Sequence, residues 1–179
     1  MEAVARSLHL LDRLDVVDAA EATAFCYGLL RPRILVTTGL FNGLTLSEVD
    51  AVLRHERHHL QRRDPLRAVL WTILDHLCWW MEKGSEHAQV ARELAADRAV
   101  IAAGGRQPLA SALLKLLTHS GSQAYHRLAV SGISVTEARI NQLLQPDQPH
   151  SPTVSLDLWH IAPIASAMMM VLCVVVMAR

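Results

Sequence analysis

The sequence predicts a mainly helical α+β domain that contains a small β-hairpin and is followed by a C-terminal transmembrane helix. Three observations predict this fold class. Residues 46–63 show helical periodicity after a helix-start signal, residues 22–27 and 33–38 form short β-rich runs, and residues 161–178 carry no charged side chain. We therefore expect one helical domain with a minor sheet, attached to a membrane span.

The N-terminal part of the domain is predicted to contain a helix and then the hairpin. Residues 3–14 place leucine and valine side chains near helical spacing, which is typical of a short amphipathic helix. Gly28 and Pro32 interrupt the chain between the two β-rich runs, as expected of a hairpin connection.

The helix at 46–63 has clear start and stop signals. Thr45 and Glu48 have the spacing of a capping box, in which each side chain accepts a hydrogen bond from the backbone N–H of the other residue. Pro65 disfavours helical geometry at Asp64, so we expect the helix to end there.

Further helices are predicted after this break. The almost wholly apolar run 66–81 is short for a membrane span, so a buried core helix is the preferred interpretation. The alternative is a membrane-facing helix, because Trp71, Trp79 and Trp80 belong to a residue type that favours the membrane interface. The remaining predicted helices are 86–103, 109–118 and 135–145.

The C-terminal part is predicted to lie outside the helical domain. The domain is assigned to residues 1–145 and a proline-rich linker to 146–157. Residues 158–178 form an apolar run with Trp159 at its edge, and about 20 residues at 1.5 Å each suffice to cross a ~30 Å hydrocarbon core. We expect this run to be a transmembrane helix.

Composition argues against some classes of partner. The formal net charge is zero and the sequence has no basic block, so direct nucleic-acid binding is not expected. The three cysteines form no Cys-x-x-Cys pair, so a disulfide framework is not expected and a reducing compartment is favoured.

The most informative motif is His55-Glu56-x-x-His59. Two histidines four residues apart lie on one face of a helix and can share one Zn²⁺ ion. Glu56 directly follows the first histidine, where its carboxylate can accept a proton from an attacking water. The pattern is typical of zinc hydrolases, and a solvated polar helix face is the alternative.

A zinc hydrolase site needs a third protein ligand, and Glu93 is the preferred candidate. Glu93 and Asp97 are four residues apart, so both carboxylates lie on one face of a second helix. Asp97 would then accept a hydrogen bond from a ligating histidine. Surface pairing of Glu93 with neighbouring arginines is the alternative, and other candidate ligands are Glu82, Glu86 and His87.

These motifs resemble the M56 family of membrane zinc peptidases, the BlaR1/MecR1 type, which is related to the M48 (Ste24/HtpX-like) peptidases. The resemblance covers about residues 25–145. It is carried by the stretch Leu46–His59, the segment Arg62–Leu66, the pair Glu93-x-x-x-Asp97 and the stretch Glu137-x-Arg139-Ile140.

The resemblance implies a zincin-like (gluzincin) fold and a Zn²⁺ metalloendopeptidase held in a bacterial inner or plasma membrane, with its catalytic domain in the cytoplasm. Implied partners are the lipid bilayer and a protein or peptide substrate, which in M56 relatives includes transcriptional repressors of antibiotic resistance. An edge strand beside the active-site helix would bind the substrate backbone. A homo-oligomer is compatible with the sequence.

Several assignments stay open at this stage. Arg139 is either a structural partner of acidic side chains or a transition-state donor, and alternative donors are His119, Tyr125 and His126. Alternative functions are an M48-like quality-control protease for membrane proteins and a catalytically idle zinc-binding scaffold that signals by protein contacts.

Overall fold

The computed structural model describes residues 8, 10–77, 84–119 and 133–144. The chain divides into two units between Pro146 and Asp147, and all described residues belong to the first. A short 3-10 helix, Leu11–Arg13, precedes three strands: β1 Leu14–Val17, β2 Ala24–Tyr27 and β3 Arg33–Thr37. The helices in the described part are α1 Thr38–Gly43, α2 Leu46–Arg62, α3 Asp64–Leu77, α4 Gly84–Ala102, α5 Arg106–His119 and α6 Ile133–Leu144.

The predicted mainly helical α+β architecture is confirmed, and so is the hairpin. Strand β2 pairs with β3 in antiparallel register, with Cys26 opposite Ile34. Gly28 begins the connection with φ of 86°, and a Cβ atom there would lie 2.9 Å from the Arg31 carbonyl oxygen. A side chain at this position would therefore strain the turn.

Of the predicted helix at 3–14, the structure describes residues 8 and 10–14, and they form no α-helix: Leu11–Arg13 is a 3-10 helix and Leu14 begins strand β1. Strand β1 pairs in parallel with β3, which makes the sheet order β1-β3-β2. Asp15 accepts hydrogen bonds from Arg33 Nε and Nη2, each at 2.6 Å, and from the Tyr27 hydroxyl. These contacts join residues far apart in sequence, so local periodicity could not reveal the strand.

Helix α2 lies at the centre of the domain. Its buried side chains, including Val49 and Leu53, pack with Ile34 and Val36 from the inner face of β3. Helix α1, which the sequence did not predict, connects β3 to α2. Gly39 in α1 approaches the 19–21 segment so closely that a Cβ atom would lie 2.1 Å from a backbone oxygen.

The predicted capping box of α2 is present. Glu48 Oε2 accepts from Thr45 N–H at 2.7 Å, and Thr45 Oγ1 accepts from Glu48 N–H at 3.4 Å. The buried Glu48 carboxylate also accepts from Ser111 Oγ at 2.6 Å and Lys115 Nζ at 2.8 Å, which connects α2 to α5. Burial raises the Glu48 pKa, but these donors outweigh it and lower the pKa to about 2.

Thr45→Ala should lower the free energy of unfolding by about 1 kcal/mol, because the Glu48 N–H loses its cap. Denaturant unfolding in detergent measures this change. Thr72→Ala is the matched control: Thr72 is exposed within α3, so its loss should change stability by no more than about 0.5 kcal/mol. Equal effects of the two substitutions would contradict a capping role.

The predicted break after α2 is confirmed, and so is a helix over residues 66–77, but its predicted burial is wrong; residues 78–81, with Trp79 and Trp80, lie outside the described residues. Arg63 adopts a left-handed conformation with φ of 53°, and α3 begins at Asp64. Much of the apolar side of α3 is exposed instead of packed in the core. Apolar content alone does not decide which side of a helix meets the rest of the domain.

The membrane prediction concerns residues that the structure does not describe. Both the 146–157 linker and the 158–178 run lie outside the described residues. Within the described ranges, the helices are too short or too polar to cross a bilayer.

Candidate metal centre

Two helices bring three candidate metal ligands to one point. Helix α2 presents His55 and His59 from successive turns, and α4 presents Glu93 opposite them. The two histidine Nε2 atoms are 3.0 Å apart. Glu93 Oε2 lies 3.2 Å from His55 Nε2, and Glu93 Oε1 lies 3.5 Å from His59 Nε2. Each residue therefore offers one ligand atom, and these atoms lie within 4.8 Å of one another.

The spacing of these atoms fits a tetrahedral metal ion. Ligand atoms about 2.0–2.1 Å from such an ion lie roughly 3.3–3.4 Å apart, from tetrahedral geometry. The two histidine nitrogens are 3.0 Å apart, and each has a Glu93 oxygen at 3.2 or 3.5 Å, distances close to that value. Two imidazole nitrogens that face each other at 3.0 Å repel through their lone pairs unless a proton or a cation lies between them. A bound metal ion would be such a cation.

Each histidine contacts a carboxylate through its other ring nitrogen. His55 Nδ1 lies 2.8 Å from Asp97 Oδ1, and His59 Nδ1 lies 2.8 Å from Asp64 Oδ2. Such partners hold the Nδ1 proton, so that Nε2 is free to bind a metal. The sequence had suggested this role for Asp97 but not for Asp64. The available signal was an aspartate five residues beyond His59, immediately after the helix break.

Arg139 of α6 joins the carboxylates of α4. Its Nε and Nη2 atoms donate to Asp97 at 2.8 and 2.9 Å, and its Nη1 atom lies 3.2 Å from Glu93 Oε2. Burial raises the pKa of the Glu93 carboxyl, but His55 and Arg139 outweigh it and lower the pKa to about 2. Arg139 therefore acts as a carboxylate partner here, while a transition-state role stays a prediction.

Histidine protonation opposes metal binding at this centre. Burial lowers the pKa of His55, but hydrogen bonds to Asp97 and Glu93 outweigh burial and raise it to about 9. A metal ion at Nε2 competes with a proton for that nitrogen, so metal binding should weaken as the pH falls.

Glu56 lies beside the three ligands at the wall of a cavity of about 420 Å³. Burial raises the pKa of its carboxyl, which suits a group that must accept and return a proton. The same cavity is bordered by Ala24 and Phe25 of β2, by Val52 of α2 and by Leu113 of α5. Strand β2 is an edge strand of the described sheet, and its residues Ala24, Phe25 and Cys26 line the cavity.

The other candidate residues either lie outside the described part of the chain or, where described, do not join this cluster. Glu86 and His87 belong to α4 but not to the group of convergent ligand atoms. Glu82, Tyr125 and His126 lie outside the described residues. The same is true of the side chain of His119, whose backbone ends α5. Arg92 lines the cavity, and no sequence pattern had marked it.

Two histidines and a carboxylate around one point, with a second glutamate beside a cleft, define the class as a metallopeptidase. A family model described as BlaR1 peptidase M56 matches residues 17–143, more than half of the chain. The chain belongs to this family, as its sequence motifs predicted. No curated protein matches it closely enough for comparison.

Asp97→Ala should weaken metal affinity roughly 10–100-fold, because His55 loses the carboxylate that orients its ring. Competition with a chromogenic chelator measures the affinity. Asp50→Ala is the matched control, since Asp50 pairs with Arg54 within α2 and is not among the cavity-lining residues. If both variants bind metal as the wild type does, Asp97 has no orienting role.

Proposed function

We propose that this protein is a zinc metalloendopeptidase of the HExxH gluzincin type, anchored to the membrane by residues 158–178. The observation that carries the proposal is the convergence of His55, His59 and Glu93 beside Glu56 in one cavity. Zinc is the preferred ion, because two imidazole nitrogens and one carboxylate form a common donor set of catalytic zinc sites.

Different residues of the chain bind the metal ion and transfer the proton. When bound, Zn²⁺ would polarise the scissile carbonyl and lower the pKa of water at the site. Glu56 accepts the proton of the attacking water and then donates it to the leaving amine. Asp97 and Asp64 keep the two histidine rings oriented throughout.

Strand β2 supports an extended peptide as the substrate. A peptide can pair with the outer edge of β2, because backbone hydrogen bonds require little of the side chains. Val52, Leu109 and Leu113 give the cavity an apolar wall, which favours a substrate with an apolar residue near the scissile bond. Cleavage of a transcriptional repressor at the cytoplasmic side of the membrane is the biological role we propose from the family.

Metal analysis combined with proteolysis tests the proposal. The full chain, purified in detergent, should contain one Zn²⁺ ion and should cleave an unfolded protein substrate. Removal of the metal with a chelator should abolish cleavage, and added Zn²⁺ should restore it. Cleavage that persists in protein shown to contain no metal would exclude a metallopeptidase mechanism.

A further inference from the structure

A surface helix usually turns its apolar side chains to the core and its charged side chains to solvent. In helix α3, two carboxylates face the domain and a row of apolar side chains faces solvent. Its polar residues Asp64 and Asp75 face the domain: Asp64 is buried against His59, and Asp75 Oδ2 accepts from the Ser85 N–H of α4 at 2.9 Å. Five of its larger apolar residues face outward. Leu77 is 71% exposed and Leu70 is 51% exposed, and the apolar face, as we call it, comprises Val69, Leu70, Ile73, Leu74 and Leu77.

The spacing of these residues makes the apolar face continuous. Positions three and four apart share one side of a helix, so Leu70, Leu74 and Leu77 form one row with Ile73 beside it. Contiguous apolar surface of this kind marks a site of contact with a membrane or another protein. The described part of the helix has 14 residues, about 21 Å at 1.5 Å per residue, which is too short to cross a bilayer but can lie along its surface.

The arginine side chains around the apolar face favour an anionic lipid surface as the partner that it contacts. Arg62 and Arg63 are exposed where α2 ends and α3 begins, and Arg67 borders the apolar face one turn before Leu70. Arg67 is 47% exposed and lies 3.5 Å from Asp64. Basic side chains next to an apolar helix face suit the boundary between phosphate headgroups and acyl chains.

We propose that α3 docks the catalytic domain on an anionic bilayer, with its apolar face among the acyl chains and the three arginines at the headgroups. This contact is separate from the 158–178 span and does not depend on peptidase activity. Docking of α3 would also hold the metal centre near the membrane surface. Asp64 at the start of α3 contacts His59, and Pro65 and Ala68 line the cavity. Peptide segments close to the membrane surface are then the ones presented to the site.

A fluorescent label on the apolar face tests this contact in the full chain. Cys26, Cys78 and Cys173 are replaced by alanine, and a single cysteine at Ile73→Cys carries an environment-sensitive nitrobenzoxadiazole group. The matched control is Leu46→Cys, because Leu46 is 70% exposed at the start of α2, the end farther from α3. Both proteins are reconstituted in vesicles of phosphatidylcholine and phosphatidylglycerol, and circular dichroism shows that their helices are retained.

The label at position 73 should emit at shorter wavelength than the label at 46 and should be quenched when the acyl chains are brominated. Replacing phosphatidylglycerol with phosphatidylcholine, or Arg62→Gln, should reduce that quenching. A shorter emission wavelength without quenching would mean that another protein surface covers α3, and would overturn the proposal. Equal quenching at both positions, or none at 73, would overturn it as well. None of these measurements requires cleavage, so the peptidase proposal is tested separately.

Discussion

Glu56→Gln is expected to reduce cleavage by about 10²–10⁴-fold, the range for loss of a general acid–base group. Glutamine has nearly the same shape as glutamate but cannot accept the proton of the attacking water. Glu56 is not one of the three convergent ligands, so the variant should keep its full metal content. Initial rates on an unfolded protein substrate, measured beside metal analysis, check both statements.

Glu137→Gln is the matched control for this experiment. Glu137 is exposed on α6, so the same chemical change there should leave turnover within about twofold, since surface substitutions seldom perturb a fold. A Glu56→Gln protein that cleaves as fast as the wild type would contradict the assigned role of Glu56. If that protein also lost its metal, Glu56 would have to be reassigned as a ligand.

Glu93→Ala is expected to remove most of the metal affinity, beyond the roughly 10–100-fold cost of losing a partner that only orients a ligand. The substitution leaves two histidine nitrogens, which cannot complete the donor set. Activity should fall with metal content. Chelator competition gives the affinity, and circular dichroism shows whether the helices persist.

Glu86→Ala serves as the control and as a test between two candidate ligands. Glu86 lies on the same helix as Glu93 but outside the convergent group, so its replacement should leave metal binding unchanged. The opposite result, with loss of metal in Glu86→Ala and retention in Glu93→Ala, would move the third ligand to residue 86.

The active-site helix could be predicted from sequence because its determinants are local. The capping box joins residues three apart, and His55 and His59 share a helix face because they are four apart. The hairpin was also predictable, since Gly28 lies between two short β-rich runs. Such signals depend on neighbours within one turn, which the sequence contains in full.

The surroundings of the site depended on contacts between distant segments. The parallel pairing of β1 with β3 joins residues 20 apart in the chain, such as Leu14 and Ile34, and the contact of Asp64 with His59 forms across the break between α2 and α3. Arg139 was a candidate for two roles until α6 packed against α4 and brought it between Asp97 and Glu93. Alone, the Glu93/Asp97 spacing showed that the two carboxylates share a face, but not what that face meets.

Helix α3 shows most clearly the difference between what local sequence determines and what tertiary contacts determine. Its apolar residues were evident from sequence and predicted a buried helix, yet the folded domain turns Asp64 and Asp75 inward and leaves Leu70, Leu74 and Leu77 exposed. The sequence by itself determined that a helix with one apolar side forms here. Only the tertiary structure decided which side faces the domain, because the buried Asp64 carboxylate requires a partner, which His59 provides, while the half-buried Asp75 accepts from Ser85.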